Sequence, residues 1–548
     1  MKSSQDKKEM HGKAGAFPCI FDAVLGRFSS DLFNESVIHH TRQPSVRLLV
    51  SALATLLATP SAHADWVIAP SVTARETWTD NASLTSQKAG SQWVTEVSPG
   101  LRVTNRTPRL EATLDYRLNA LEYSGERPSG ADRVTQQLSA AMHAKVVPDT
   151  FFLDADYHIS LQPISAFGPQ TPNDYTTTNR QEVRSWRVSP VLMHQFGAFA
   201  AAQLSYTRDS VDGGNIGLGS SEGDSLLLSL TSGASFQKVT WGLSASSQNV
   251  DTAALPQTHS RAVNANLGWS LTRQLRWTLS GGYDKYTYEA LSDKTQGANW
   301  STGLSWTPSG RTTIEGTLGR RYYGDSYSFR LMHRSRRTVW NVSYGDDVTS
   351  TRSQFLLPST VDTAALLNQM FMANYPDPLQ RAAMVAAYMA MTGLPPSLPN
   401  SVNYFSNRYV LQKQFNASVA LRASRSTAVL SVYRTRREAL TQGTADSPLL
   451  GSNNFSLNDN VNQAGASASL NYQVSGRTQL SLSSAFMRAE SLSLDLHSRS
   501  RTTSVSASHQ LGRNTHGSLS VRRTNGNAGL SATPYTENSV SAQLTFQL

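Results

Sequence analysis

Five consecutive residues, Gly219-Ser220-Ser221-Glu222-Gly223, match the G-x-S-x-G pattern of hydrolytic nucleophiles. That chemistry needs a strained strand-to-helix turn that lifts the serine hydroxyl toward a histidine base. Here the pentapeptide lies in a Gly/Ser-rich stretch between strand-like segments, so the nucleophile reading is rejected. His143 and His158 sit in neighbouring segments where they alternate with apolar residues. A histidine on one strand can meet a serine on the next, which keeps a strand-borne hydrolase as the weakest reading; polar residues lining a polar face are the ordinary one. Asp346-Asp347 and Asp80-Asn81 fall at segment ends and offer oxygen ligands for weak Ca²⁺ binding, although solvated loop carboxylates explain them better. There is no H-E-x-x-H, no P-loop and no metal-spaced histidine cluster. Catalytic, cofactor-binding and metal-ligating residues are therefore expected to be none, and the chain is read as not an enzyme.

Cysteine usage and charge narrow the classes further. Cys19 is the one cysteine, which removes disulfide frameworks, cysteine-ligated zinc and thiol catalysis together. Lys and Arg number 49 against 39 Asp and Glu, a net charge of +10. The cations are spread along the chain without any nucleic-acid motif, so no nucleic-acid partner is expected. Arg117, Arg184, Arg187 and Lys285 belong to strand-like segments, and those on a lumenal face would favour anionic solutes. Arg184 and Arg187 differ in parity, so without a bulge only one of them reaches that face.

The elements that must position these residues are β-strands. In Arg109 to Tyr123, RLEATLDYRLNALEY, the even positions Leu110, Ala112, Leu114, Tyr116, Leu118 and Ala120 are apolar. Glu111, Thr113, Asp115, Arg117 and Asn119 fall between them. Alternating side chains point to opposite faces of a strand, so one face is apolar and the other charged. Soluble strands usually run about 5 or 6 residues. Alternation two to three times longer calls for lipid on one side and water on the other. Only 39% of the chain is hydrophobic and its mean hydropathy is −0.35, as expected where half of each strand faces a polar lumen.

Similar segments recur from Trp66 to Leu548, and the pattern predicts an all-β, transmembrane outer-membrane antiparallel β-barrel of about 22 strands. Trp66 and Trp78 lie twelve residues apart on one face. At about 3.3 Å per residue and a tilt of about 45° that spans roughly 28 Å, enough to place one tryptophan in each interfacial girdle. Connections alternate between short turns, such as Val147 to Thr150, Pro308 to Arg311 and Ser475 to Arg477, and longer polar loops, such as Pro163 to Arg180, Ser210 to Asp224 and Ala439 to Asn460. Short periplasmic turns and long outer loops give that alternation, with Trp66 and the C-terminus both inside. The last strand carries Val540, Ala542, Leu544, Phe546 and Leu548 on one face, similar to the signal read by the barrel assembly machinery.

Three divisions follow. Residues 1–64 form a polar extension and a cleaved signal peptide, with an apolar core after Arg47 and an Ala62-His63-Ala64 site before Asp65. Residues 65–548 form the barrel. Residues 355–403 interrupt it with two helix-like stretches, VDTAALLNQMFMANY and PLQRAAMVAAYMAMTGLP, expected to form a lid or plug entering from the outer side.

Several stretches carry a family likeness: PSVTARETWTDNASL (Pro70 to Leu84), VTEVSPGLRV (Val94 to Val103), LDYRLNALEYS (Leu114 to Ser124), FFLDADYHISLQPISAFGP (Phe151 to Pro169), NRQEVRSWRVSPVL (Asn179 to Leu192) and TGLPPSLPNSVNYFSNRYV (Thr392 to Val410). In these the chain resembles the PEP-CTERM system-associated outer-membrane β-barrel proteins of Gram-negative bacteria. The resemblance implies an association with exosortase sorting and exopolysaccharide production or export loci. Taken with the barrel and its insert, the expected role is in envelope or exopolysaccharide export, as a pore gated by residues 355–403. The alternative is a non-conducting scaffold for an export machine. Expected partners are outer-membrane lipid and lipopolysaccharide, the barrel assembly machinery, and exopolysaccharide or export components, with no cofactor.

Overall fold

The structure is a computed structural model that describes residues 66–86, 90–128, 131–171, 175–176, 179–214, 220–252, 255–287, 295–356, 409–440, 460–528 and 533–548. The extension and signal peptide, and the helix-like stretches of the 355–403 insert beyond Leu356, lie outside the described residues.

Alternating sequences fold here as long strands. They are β1 (Trp66–Thr79), β2 (Gln92–Arg106), β3 (Leu110–Tyr123), β4 (Val134–Val147), β5 (Phe151–Pro163), β6 (Arg180–Phe196), β7 (Ala200–Asp212) and β8 (Ser220–Ser232). Next come β9 (Val239–Thr252), β10 (Leu255–Ser270), β11 (Leu275–Thr287), β12 (Gln296–Ser309), β13 (Thr312–Arg321), β14 (Gly324–Arg334) and β15 (Thr338–Ser350). One short helix, α1 (Thr351–Leu356), precedes β16 (Tyr409–Arg422), β17 (Ser426–Ala439), β18 (Val461–Gln473), β19 (Thr478–Ser491), β20 (His497–Gln510), β21 (Thr515–Ala528) and β22 (Thr533–Gln547). Each strand pairs antiparallel with the next, and β22 pairs with β1, so the 22-stranded sheet is closed. Closure leaves no edge, and every ladder group finds a partner inside the sheet, the condition for a sheet to cross lipid.

The seam is reinforced on its lumenal side. Arg75 donates to Gln543 Oε1 from both Nε (3.0 Å) and Nη2 (2.8 Å), and Thr77 and Ser541 hydroxyls meet at 2.9 Å. Register carries each face around the barrel. Leu118 lies opposite Gln136, Leu138 opposite Ile159, and Phe151 opposite Leu192, so one parity stays outward from strand to strand. On that parity stand exposed Leu192, Leu204, Leu226, Leu243, Leu267, Leu279, Leu304, Leu318, Val432, Leu482, Val505 and Leu544, the apolar belt that lipid covers.

Near the short-turn end, Trp269 faces Trp277 across β10 and β11, and Trp306 faces Leu275 on the next strand pair. With Trp241 and Trp340 they form an aromatic girdle at that end. Trp66 and Trp78 share the outward parity at opposite ends of β1, as the sequence predicted. The short/long alternation of connections holds over most of the chain and weakens at several long-side positions. On the long-loop side, residues 322–323 alone join β13 to β14, and five residues, 492–496, join β19 to β20.

Candidate functional site

The inner face is polar, and the long loops turn into it. Ala166 and Phe167, in the connection after β5, bury against Val461, Ala489 and Leu496 on the far wall. Further along the same connection, Tyr175 packs with Ala82, Val94 and Leu121 and is 3% exposed. Its hydroxyl donates to Glu537 Oε1 at 2.5 Å and accepts from Arg522 Nη2 at 2.7 Å. Thr79 donates to the same carboxylate oxygen at 3.0 Å, so the buried Glu537 charge is both paired and hydrogen-bonded. Burial raises the Tyr175 hydroxyl above its ordinary pKa, with Arg522 opposing the shift and Glu537 adding to it. The loop after β1 joins this packing: Thr176 donates to the Ala82 carbonyl at 2.7 Å, and Asn81 Nδ2 donates to the Thr85 and Thr536 carbonyls at 2.7 and 3.0 Å.

A second inward segment begins where β15 ends. α1 reaches across to β6 and β7. Its Arg352 forms a buried ion pair with Asp209, and its Nε donates to Ser221 Oγ at 2.9 Å. Gly223 makes room for this guanidinium, since a Cβ there would collide with it. Gln354 is held between Arg437, which donates to its Oε1 at 2.8 Å, and Gln412 at 2.5 Å. Phe355 and Leu356 pack with Ile164 against Val183 and Val211. The start of the insert is thus pinned inside the barrel by one ion pair, two glutamine contacts and an apolar patch.

These segments sheathe part of the wall and leave the rest bare. Inward residues are buried on β2 (Val94, Glu96, Ser98), β17 (Thr435, Arg437) and β20 (Ser498, Ser500). Between Ser221 and Val339, Asp284 is the one buried side chain among the described residues, glycines aside. The bare inner face of β9–β14 is lined mostly by hydroxyls and amides, including Ser244, Ser246, Asn264, Asn266, Thr278 and Ser280, with Arg276 and the pairs Glu315–Arg330 and Asp284–Arg321 among them. Ser280 and Ser301 hydroxyls meet at 2.6 Å, and those of Thr317 and Ser328 at 2.5 Å.

A recess of about 500 Å³ opens beside β3–β7, lined by Glu111, His143, Asp154, Asp156, Arg187 and Ser189 among others. Both histidines face the lumen, as expected from their alternation. His143 Nδ1 lies 2.6 Å from Asp154 Oδ1, and its ring stacks on Phe152 with centroids 5.7 Å apart. Among the described residues no hydroxyl is bonded to its other ring nitrogen, and His158 lies opposite Ser185 without a recorded bond to it. Ser221, the serine of the G-x-S-x-G match, is the second residue of β8 and receives Arg352; Gly219 lies outside the described residues.

The four strand cations separate. Arg117 and Arg187 face the lumen, where Arg187 is paired with Asp156 at 2.5 Å. Arg184, paired with Glu182 at 2.9 Å, and Lys285 stand on the lipid-facing parity. The carboxylates read as solvated are in fact engaged. Asp80 accepts the Asn538 backbone N–H at 2.7 Å and its side-chain Nδ2 at 2.9 Å. Asp346 and Asp347 belong to β15, which runs six residues further than the alternation suggests, to Ser350. Asp346 accepts from Tyr323 at 3.0 Å and Tyr327 N at 2.6 Å, and Asp347 from Arg321 at 3.2 Å. No group of three or more potential metal ligands occurs among the described residues.

What the sequence reading missed is the inward turn of Pro163 to Arg180 and the Arg352–Asp209 pair. The available signal was apolar: Ile164, Phe167 and Tyr175 are out of place in a solvent-exposed loop.

No family model and no curated protein matches the chain. Among solved structures, it is similar to the FrpB iron transporter from Neisseria meningitidis (F5-1 variant), at 10% identity over 88% of this chain and 82% of that one, with a TM-score of 0.48. It is also similar to the siderophore receptor PirA from Pseudomonas aeruginosa, at 12% identity over 87% and 80% of the two chains, with a TM-score of 0.42. The barrel architecture stands on the strand pairing itself, which closes a sheet of 22 strands.

Proposed function

We propose that this chain is an outer-membrane conduit for a polar polymer, held shut at its outer mouth by its own loops. The setting is envelope or exopolysaccharide export, which the likeness to PEP-CTERM-associated barrels implies, and the route to the membrane is a cleaved signal peptide. The observation that carries the reading is the bare wall of β9–β14 beside a sheathed one, where hydroxyls and amides predominate and the charges are largely paired, Glu315 with Arg330 and Asp284 with Arg321. Hydroxyls and amides exchange hydrogen bonds with a sugar at little net cost, because each bond to water is replaced by one to the solute. Such a lining lets a polymer slide, where a ring of unpaired charge would hold it.

Closure follows from the same geometry. A barrel of 22 strands encloses a lumen too wide to leave empty without leakage. The connection after β5 and the start of the insert supply the filling from the outer side. Opening requires separation of Arg352 from Asp209, both nine-tenths buried, and withdrawal of Phe355 and Leu356 from Val183 and Val211. Breaking a buried pair exposes two desolvated charges, so the shut state is the resting one.

Conductance in planar bilayers tests this. Wild-type protein is expected to be silent or nearly so. Arg352→Ala combined with a short linker replacing 165–178 should give stable openings that a neutral dextran blocks. Continued silence from that variant, correctly folded, would replace the conduit with the non-conducting scaffold.

A further inference from the structure

The lipid-facing parity carries an unexpected set of cations on β16–β21. Lys413, Arg434, Arg436, Arg488, Arg499, Arg501 and Arg523 all point away from the lumen. Each falls in the outer half of its strand, on the loop side of Leu421, Val432, Leu482, Val505 and Val521 in the apolar belt. Register makes them neighbours. Lys413 lies opposite Arg436, Arg488 opposite Arg499, and Arg501 opposite Phe486. The inward residues between them, Thr435, Arg437, Ala489, Ser498 and Ser500, are buried, so the outward direction of the arginines is fixed by the sheet itself.

Four of the seven have a protein partner. Arg436 and Lys413 reach Glu438 at 2.6 and 3.8 Å, Arg488 pairs with Glu490, and Arg434 donates to Asn462 at 3.2 Å. Arg499, Arg501 and Arg523 have no hydrogen bond or ion pair from their guanidinium groups among the described residues. Like charges placed side by side repel, and Arg488 facing Arg499 costs stability unless an anion lies between them. No such crowd stands on β1–β4, whose outer exterior carries Glu76 and Glu122 instead.

Resting on the outer-membrane reading above, we propose that this arginine band binds the phosphate groups of the outer-leaflet glycolipid, a phosphorylated lipid A-type headgroup. Three features select that occupant. The band adjoins the acyl-chain belt on the same face, so its ligand has a greasy part that continues downward. Guanidinium forks match phosphate oxygens two at a time, which carboxamide or sugar hydroxyls do not offer. The band also lies on the long-loop side, away from the tryptophan girdle at the short-turn end.

The test uses full-length mature barrel in detergent, titrated with diphosphorylated lipid A, with its dephosphorylated counterpart and with inorganic phosphate, read by native mass spectrometry and thermal shift. Diphosphorylated lipid A is expected to bind and raise the melting point, and the other two to leave it unchanged. The triple variant Arg499→Gln, Arg501→Gln, Arg523→Gln should lose most of that binding, about tenfold or more, while Arg261→Gln with Lys285→Gln on β10–β11 should lose little. Equal binding by the dephosphorylated lipid, an equal shift with inorganic phosphate, or full retention in the triple variant would overturn the proposal. A mature chain that stays monodisperse without detergent would instead overturn the membrane reading beneath it.

Discussion

Two sectors of one wall differ in what covers them. From β15 through β22 and on to β7, inward side chains toward the outer ends of the strands are buried where loops turn into the lumen; from β9 to β14 Asp284 alone is, glycines aside, among the described residues. The sheathed sector hides charge, including Glu96, Asp209, Arg437 and Glu537, and each is held by a partner or a hydroxyl. The bare sector is built mostly from Ser, Thr, Asn and Gly, which need no partner beyond water, with Glu315–Arg330 and Asp284–Arg321 as its ion pairs. The contrast teaches that covered and uncovered wall are assigned to different strands of the same sheet among the described residues.

The strongest way to break that division is to remove the filling. Replacing 165–178 by a short linker should raise single-channel conductance severalfold while leaving the barrel folded, measured in bilayers and by circular dichroism. Next in size is Arg352→Ala, which leaves Asp209 buried without its cation, a loss of about 3 kcal/mol in holding α1 in place. Hydrogen exchange should rise at 351–356 and not in the strands. A change at the cradle, Gly223→Val, displaces the same guanidinium and should give a smaller rise in exchange over the same six residues.

Charge placement sharpens the contrast from the other side. Asn266→Asp and Ser280→Asp on the bare face should fold normally and shift the open variant toward cation selectivity, read as a reversal potential. Thr435→Asp, at a fully buried inward position, should reduce the folded yield instead. Smallest is Tyr175→Phe, which removes a hydroxyl bonded on both sides and should cost about 1 kcal/mol. Its sign with pH is set by burial. A hydroxyl whose folded pKa lies above the ordinary 10.0 contributes fully below that value and loses its contribution as pH rises through the folded one. Alkaline loosening of residues 175–176 should therefore be seen in wild type and be reduced in Tyr175→Phe, by hydrogen exchange or limited proteolysis.

Strand number, the outward parity of the apolar residues and the placement of Trp66 and Trp78 were legible because a two-residue period states both conformation and solvent. Arg187 and His143 were legible for the same reason. Loop destinations were not. Alternation says nothing about whether a connection leans outward or folds into the lumen, and Asp209 meets Arg352 across 143 residues of sequence. The tight outer hairpin at 322–323 also escaped notice, since the rule that outer loops are long describes a tendency and not a geometric requirement. Asp346 and Asp347 look like loop residues by composition, and only pairing with Lys413 and Gln412 shows that the strand continues through them.

The hairpin at 322–323 has a consequence for the membrane. β13 and β14 have ten and eleven residues, against as many as seventeen elsewhere, and a two-residue turn caps them beside the Tyr286, Tyr322 and Tyr323 rings. At about 3.3 Å per residue and a tilt of about 40°, ten residues rise roughly 25 Å, barely the height of the hydrocarbon slab. Bilayer and barrel accommodate such a shortfall by local thinning or by leaning. Either way the outer lip is lowest beside β13 and β14, and the lumen comes nearest to the leaflet surface on that side.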